Sequence, residues 1–231
     1  MRRLSIALLA VVLAASAPAA VITRLPVTAR VLALTFDACE GPTRATLDQP
    51  IVEYLEREHL PFTVFMGGRF ARDNAAAVRD LAGYAGVEIE NHSYSHPQDM
   101  RRLTDEQVRG EIGRAQLQIR AVTGRTTQLF RFPAGRSDER TVAIVEAMGY
   151  RVVHWRFPSG DPDPKLPAQA ILADTLSRVR PGDILIFHIN GRGVHTAEVL
   201  AALIPELRRR GYRFVRLDEV LGKAPAAAGT P

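Results

Sequence analysis

Short runs of apolar residues alternate with amphipathic segments from residue 31 to about residue 221. The runs are rich in branched side chains and are bounded by turn-forming residues, which is typical of buried strands. We predict seven strands, in chain order RVLALTF, FTVFM, VEIE, LFRF, RVVHW, DILIFHI and RFVRL. Because these strands are hydrophobic along nearly their whole length, they indicate a parallel sheet covered by helices.

The segments between these runs have the spacing of amphipathic helices. The clearest one extends from Thr104 to Val122, with apolar side chains recurring on one face. Thr104 and Gln107 have the spacing of a capping box, and Gly124 provides a stop. Repeated strand–helix units predict an α/β fold, as a barrel or as an open doubly wound sheet. We favour a distorted (β/α) barrel of about seven parallel strands, since eight full units are not visible.

The composition indicates one large domain. The chain has 231 residues, of which 46% are hydrophobic, and no linker rich in Pro, Gly or Ser divides its interior. The net charge of +5 comes almost entirely from arginine, without a dense cluster or interleaved aromatic residues. This pattern argues against a nucleic-acid partner. A mild positive charge would suit an anionic polymer such as a cell wall.

The two ends of the chain differ from the domain over residues 21–222. Residues 1–20, MRRLSIALLAVVLAASAPAA, combine a basic start, an apolar stretch and small residues, as a signal peptide does. The alternative is an uncleaved membrane anchor. We expect cleavage, a periplasmic or secreted monomer with no membrane span left, and a disordered tail over residues 223–231. Cys39 is the only cysteine, so no internal disulfide can form.

Polar residues collect where five of the predicted strands end. The carboxyl ends of parallel strands meet at one edge of a sheet or barrel, which is where such folds carry their chemistry. The residues are Asp37 after the first strand, His92 and His96 after the third, Arg131 and Pro133 at the fourth, Asp161 and Asp163 after the fifth, and His188 and Asn190 at the sixth. We therefore predict an active site at this edge.

His92 and His96 are candidate metal ligands. A spacing of four residues places two imidazoles on one side of a helical turn. Two neutral imidazoles and a carboxylate form a usual catalytic zinc site, with one position open for water. The alternative is that the pair caps a loop, or that one histidine belongs to the core. Ser93 stands where a zinc-protease HExxH motif has its glutamate, which excludes that class.

The stretch DACEGP, residues 37–42, contains two further candidates. Glu40 is either a metal carboxylate or a solvated turn residue. Cys39 as a nucleophile would need a nearby histidine base, such as His188, and a lowered pKa. No known cysteine-enzyme signature surrounds it, so a small packed residue is the favoured interpretation.

Together these stretches resemble the polysaccharide deacetylases of the NodB-homology type, carbohydrate esterase family four. Residues 35–37, TFD, echo its first motif, T-F-D-D-G. Residues 92–96, HSYSH, match H-[ST]-x-x-H, and residues 131–135, RFPAG, match the third motif, R-x-P-x-G. HWRFPSGDPDP and IFHIN stand where the fourth and fifth motifs occur. The resemblance implies a distorted (β/α) barrel that removes acetyl groups from N- or O-acetylated sugars, using zinc or another divalent ion.

The resemblance also implies roles for the acid–base residues. Asp37 would be the general base, held by Arg131 through a charge-assisted hydrogen bond. His188 would be the general acid, which a closed barrel would bring to the side of the rim opposite Asp37. Arg156 stands where an acidic residue would be more familiar, so Asp161 is expected to orient or tune His188.

The remaining roles concern the metal and the substrate. The resemblance implies that His92 and His96 bind the metal. The family's usual metal aspartate is replaced by Ala38, so we expect Glu40 to serve as the third ligand. Residues of the last three motifs are expected to contact the substrate: Pro133, Trp155 and Asn190.

The predicted reaction is metal-assisted removal of acetyl groups from a cell-wall or extracellular polysaccharide. Two other classes remain open. One is a hydrolase of the same fold that acts on another non-peptide C–N bond. The other is a non-catalytic carbohydrate-binding relic, which Ala38 makes plausible.

Overall fold

The structure, a computed structural model, describes residues 21–40 and 45–222. The predicted signal peptide and the predicted C-terminal tail lie outside the described residues. Within the described part, none of the helices is both long and apolar enough to cross a membrane.

Strands and helices alternate along the described chain. The strands are β1 (Val31–Ala38), β2 (Phe62–Met66), β3 (Val87–Asn91), β4 (Leu129–Phe130), β5 (Arg151–Val152), β6 (Ile184–His188) and β7 (Arg213–Val215). The helices are α1 (Gln49–Arg57), α2 (Gly68–Asp73), α3 (Ala75–Gly83), α4 (Asp105–Thr123), α5 (Glu139–Ala147), α6 (Ala168–Arg178), α7 (Thr196–Arg209) and α8 (Leu217–Leu221). Short 3₁₀ turns lie at Met100–Arg102 and Pro133–Gly135.

All pairings between these strands are parallel. The order across the sheet is β5-β4-β3-β2-β1-β6, and β7 pairs with the amino half of β1. No ladder joins β5 to β6. Instead, Ile22 bridges to Val153 and Arg24 bridges to Asp183, so the N-terminal segment lies between the two edges. This arrangement confirms the distorted barrel of seven parallel strands.

Strands β1, β2, β3, β4 and β6 bury side chains on both faces, which explains the continuous hydrophobic runs in the sequence. In β1, Leu32, Leu34 and Phe36 pack in the cluster between sheet and helices. The alternate residue Ala33 packs in a second cluster inside the barrel. Because side chains alternate along a strand, Asp37 shares the interior face with Ala33. The chemistry therefore lies at the carboxyl end of the barrel interior.

The predicted capping of helix α4 is confirmed. The backbone N–H of Gln107 donates to Thr104 Oγ1 at 3.3 Å, and the N–H of Thr104 donates to Gln107 Oε1 at 2.9 Å. Gly124 adopts the left-handed conformation that ends the helix, with φ of 71°. The buried face of α4 is apolar apart from one charged residue, Glu111.

Candidate active site

Asp37 and Arg131 form a buried ion pair. Arg131 is fully buried, and its Nη1 donates to Asp37 Oδ1 at 2.8 Å, as the sequence predicted for this contact. The guanidinium lies over the ring of Phe65, 3.9 Å from its centroid. Burial acts to raise the pKa of Asp37, but the neighbouring His92, Arg131 and His188 side chains outweigh it and lower the pKa to about 2. Asp37 is therefore a carboxylate at neutral pH.

His188 is held by the carboxylate of Asp161. His188 Nδ1 lies 3.0 Å from Asp161 Oδ1, and the His188 backbone N–H donates to Oδ2 at 2.7 Å. The hydroxyls of Ser159 and Thr196 each donate to the same carboxylate at 2.7 Å. Because a carboxylate can only accept, Nδ1 carries the hydrogen, and Nε2 is the nitrogen left for a substrate.

Asp37 and His188 are register partners on the neighbouring strands β1 and β6. The expectation that they face each other across the rim is therefore wrong, because β6 pairs directly with β1. Both side chains line one cleft of about 200 Å³, together with His96, Trp155 and others. A larger cavity of about 420 Å³ contains none of the predicted site residues. The site is therefore identified by its chemical groups and not by the size of the cavity.

The two candidate metal histidines lie close together, but not on a helical turn. The segment after β3 is a loop in which Ser93 and His96 have φ of 68° and 54°. Glu111 holds this loop by accepting from the backbone N–H groups of Tyr94 and Ser95 at 3.0 and 2.7 Å. The His92 and His96 ring centroids are 5.1 Å apart. Tertiary contacts, not helical spacing, bring the pair together.

The tautomer of His92 points to a cation position. His92 Nδ1 lies 2.8 Å from the carbonyl oxygen of Arg131, so Nδ1 carries the hydrogen and Nε2 presents a lone pair. The buried Nε2 makes no hydrogen bond to the described residues and lies 3.5 Å from Asp37 Oδ2. A lone pair facing a carboxylate in a buried site is unfavourable unless a positive charge lies beside them.

Both imidazoles are suited to metal binding. Burial lowers the pKa of His92, and burial next to the His92 imidazole lowers the pKa of His96 to about 3. Both rings are therefore neutral at neutral pH, which is the form that binds metals. The side-chain amide of Gln98 lies 3.1 Å from His96 Nδ1 and can turn to donate or to accept. The residues present fit a divalent ion.

Among the described residues, one group of three side chains brings metal-binding atoms within 4.8 Å of one another: Cys39, His92 and His96. Glu40, the predicted third ligand, is not a member of this group. Burial raises the pKa of the Cys39 thiol to about 12, which argues against its acting as a free nucleophile.

The three predicted substrate contacts are placed differently. Trp155 lines the cleft, whereas Pro133 is buried beside it and its neighbour Ala134 lines the cleft instead. Asn190 is buried, and its amide donates to the backbone oxygen of Cys39. Asn190 therefore positions the loop after β1 and is not among the residues that line the cleft.

Sequence reasoning missed several residues at the site, among them Glu111 and Arg192. Glu111 has a sequence signal, since it is a charged residue on the otherwise apolar face of α4. Arg192 also lines the cleft, in the loop after β6, and no local pattern singles it out.

Comparisons with known proteins agree with this architecture. The family described as "Polysaccharide deacetylase" matches residues 24–153. A peptidoglycan-N-acetylglucosamine deacetylase of Bacillus cereus is 27% identical over 194 residues, which are 83% of this chain and 88% of that protein. A bifunctional xylanase/deacetylase of Pseudobutyrivibrio xylanivorans is 27% identical over 83% of this chain, but the chain covers only 30% of its length.

Two solved structures have the same fold. One is a mutant of a carbohydrate esterase family four pseudoenzyme from Bacillus anthracis, with restored enzymatic activity; it is 25% identical, covers 89% of this chain and 72% of that one, and has a TM-score of 0.78. The other is a family 4 acetyl xylan esterase from Clostridium thermocellum in complex with cobalt, 28% identical over 83% of this chain and 90% of that one, with a TM-score of 0.71. The family match covers more than half of the chain, and the folds coincide. The chain therefore belongs to the polysaccharide deacetylase family.

Proposed function

We propose that this protein is a metal-dependent hydrolase that removes acetyl groups from N-acetylated sugars of a cell-wall polysaccharide. One observation carries the proposal. A carboxylate held by Arg131 and an imidazole held by Asp161 lie side by side in one cleft, next to a buried His92 nitrogen that has no hydrogen-bond partner in the described part of the chain. This is the set of groups that hydrolysis of an amide requires: a base, an acid and a cation position.

The first half of the reaction is the attack of water on the acetyl carbon. A bound divalent ion would polarise the acetyl carbonyl and lower the pKa of a water molecule. Asp37 accepts the proton of the attacking water as the new C–O bond forms. Arg131 keeps the carboxylate oriented and ionised while its other oxygen, Oδ2, remains available.

The second half is the departure of the amine. His188 donates a proton from Nε2 to the nitrogen as the C–N bond breaks, which leaves acetate and a free amino sugar. An amine is a poor leaving group unless it is protonated, so the acid is required. Asp161 stabilises the positive charge that His188 carries before the transfer and fixes the ring in the tautomer needed.

Peptidoglycan is the first substrate to test. The Bacillus cereus relative, whose name specifies that polymer, has nearly the same extent as this chain. The net charge of +5 suits an anionic cell wall, and Trp155 lines the cleft with an aromatic ring. We further propose zinc as the metal, a periplasmic or secreted location, and a monomer.

The test is acetate release from peptidoglycan, chitin oligomers and acetylated xylan. The purified protein is assayed as prepared, after chelation, and after zinc is restored. We expect release from N-acetylated polymers that chelation abolishes and zinc restores. Release that is indifferent to chelation would contradict metal dependence, and release from xylan alone would contradict the N-acetyl preference.

A non-catalytic carbohydrate-binding protein is the second candidate. Ala38 occupies the position of the family's usual metal aspartate, and one structural neighbour is a mutant of a pseudoenzyme. In that case the protein would bind the polymer in a sedimentation assay, with and without chelator, and release no acetate. The same preparations therefore separate the two functions.

A further inference from the structure

Cys39 directly follows the strand that carries Asp37, and its side chain lies on the catalytic side, near His92 and His96. Side chains alternate along a strand, so residues two apart share a face. Ala38 packs with Phe36 in the cluster between the sheet and the helices. Cys39 is fully buried, yet it belongs to none of the three hydrophobic clusters in the described residues. Its buried side chain therefore lies apart from these clusters.

The sulfur lies with the two histidines at the spacing of a metal site. One donor atom from each of Cys39, His92 and His96 lies within 4.8 Å of the others. Around a tetrahedral zinc ion, with Zn–N of about 2.0 Å and Zn–S of about 2.3 Å, donor atoms lie about 3.5 Å apart. The three donor atoms would have to approach one another by roughly 1 Å to bind the same ion.

A second observation points independently to a ligand at this place. Within residues 21–40 and 45–222, the buried His92 Nε2 has no hydrogen-bond partner, and it is the lone-pair nitrogen because Nδ1 donates to the Arg131 carbonyl. This carbonyl contact is the outer-shell arrangement that metal-binding histidines usually have. The side-chain N–H of Asn190, 3.6 Å from Cys39 Sγ, is a donor of the kind that stabilises a bound thiolate.

We infer that Cys39, His92 and His96 are the protein ligands of the divalent ion, so that a thiolate takes the position of the missing carboxylate. The inference rests on the proposed function in that both require an ion at this edge of the barrel. The Cys39 S–H loses its proton to solvent as the sulfur–metal bond forms. Three protein ligands leave a position open for water, and a thiolate favours zinc or cobalt over magnesium, calcium or manganese.

Cobalt substitution tests the sulfur ligand directly. Cys39 is the only cysteine, so any thiolate-to-Co(II) charge-transfer band in the near ultraviolet must come from it. We expect that band in the wild-type protein and in Glu40→Gln, and its absence in Cys39→Ser. Serine has nearly the same shape as cysteine, and circular dichroism checks that the variants fold.

Zinc affinity gives a second readout that does not depend on activity. In competition with a chromophoric chelator, Cys39→Ser should lose more than about 100-fold in affinity, the upper end of what loss of an outer-shell partner costs. Glu40→Gln should stay close to the wild type. Equal zinc affinity of Cys39→Ser and the wild type, or a wild type that binds cobalt without the band or binds no metal, would overturn the inference.

The two proposals can fail separately. A cobalt protein with the band but without acetate release would leave the ligand set standing and remove the deacetylase function. Zinc-dependent acetate release without the band would keep the function and remove Cys39 from the ligand set.

Discussion

Asp37 and His188 are register partners on the adjacent parallel strands β1 and β6. Paired residues of neighbouring strands project from the same face of a sheet, so the two side chains enter the cleft next to each other. Each has its own buried partner, Arg131 for Asp37 and Asp161 for His188. The proposed base and acid therefore belong to two separate hydrogen-bonded pairs and can be altered one at a time.

Replacement of the base should remove hydrolysis. Asp37→Asn eliminates the proton acceptor, and acetate release should fall by at least about 100-fold, since general base terms are typically 10²–10⁴. The change also leaves the buried Arg131 without a counter-charge. Loss of one partner of a buried pair costs about 3–5 kcal/mol, and the remaining amide oxygen should keep the cost at or below the lower end of that range. Chemical denaturation measures that cost.

The control for Asp37→Asn is Asp163→Asn. Asp163 follows the same edge of the sheet but is exposed and does not line the cleft. Its replacement should leave both acetate release and stability unchanged. Similar losses in the two variants would mean that Asp37 has no special role.

Replacement of the acid should discriminate between leaving groups. His188→Ala should slow amide hydrolysis by about 10²–10⁴-fold, because the amine must be protonated to leave. Activated acetyl esters, whose alcohols leave without a proton, should be affected much less. Rates on an N-acetylated oligomer and an aryl acetate measure the split. Equal losses on both substrates would argue that His188 stabilises the oxyanion or binds the metal instead.

Glu111 should affect metal binding through the loop after β3, which carries His96. Its carboxylate accepts from the backbone of Tyr94 and Ser95, so Glu111→Ala releases the loop that carries His96. Zinc affinity should fall by about 10–100-fold, as for other outer-shell losses. Arg114→Ala is the matched control, since it removes the Glu111 ion pair and the contact of the guanidinium with the Tyr94 ring but leaves both backbone hydrogen bonds to Glu111 in place. An equal loss in both variants would show that the contacts of Arg114, and not the backbone hydrogen bonds to Glu111, determine the zinc affinity.

The buried carboxylates of β3, Glu88 and Glu90, should make stability depend on pH. Burial and the nearby charge of Glu88 raise the pKa of Glu90 well above its usual value. The folded state therefore binds a proton more readily than the unfolded state. Stability is greatest below the unfolded-state pKa and falls as the pH rises through the higher folded-state pKa.

Glu90→Gln should remove this loss, because its amide oxygen can still accept from the backbone N–H groups of Gln128 and Leu129. The stability gain over the wild type, measured by urea denaturation, should be small in acid and grow toward neutral pH. Glu106→Gln on exposed α4 surface is the control and should give no such trend. A gain that is constant or shrinks with pH would contradict the assignment.

The strands and helix α4 could be predicted because their signals are local. A run of branched residues marks a buried strand, and Thr104 and Gln107 mark a helix start without reference to the rest of the chain. The family motifs placed Asp37, His92 and His188 at the correct edge for the same reason. These features depend on residues that are close together in the sequence.

The details of the site depend on contacts that the sequence does not state. The loop after β3 has positive φ at Ser93 and His96 and is held by Glu111, so a helical spacing was the wrong guide to the histidine pair. The pairing of β1 with β6 made Asp37 and His188 neighbours. Because Ala38 stands in place of the metal aspartate, Glu40 was predicted as the third ligand, whereas the side chain that lies with His92 and His96 is Cys39.

Acetate release from N-acetylated glucosamine oligomers by the zinc-loaded protein, compared between the wild type and Asp37→Asn, is the most direct test of the proposed deacetylase. The wild type should release acetate and free amines in equal amounts, and Asp37→Asn should be slower by at least about 100-fold at equal zinc occupancy. Equal rates in the two proteins, or no acetate from a folded and zinc-loaded wild type, would contradict it.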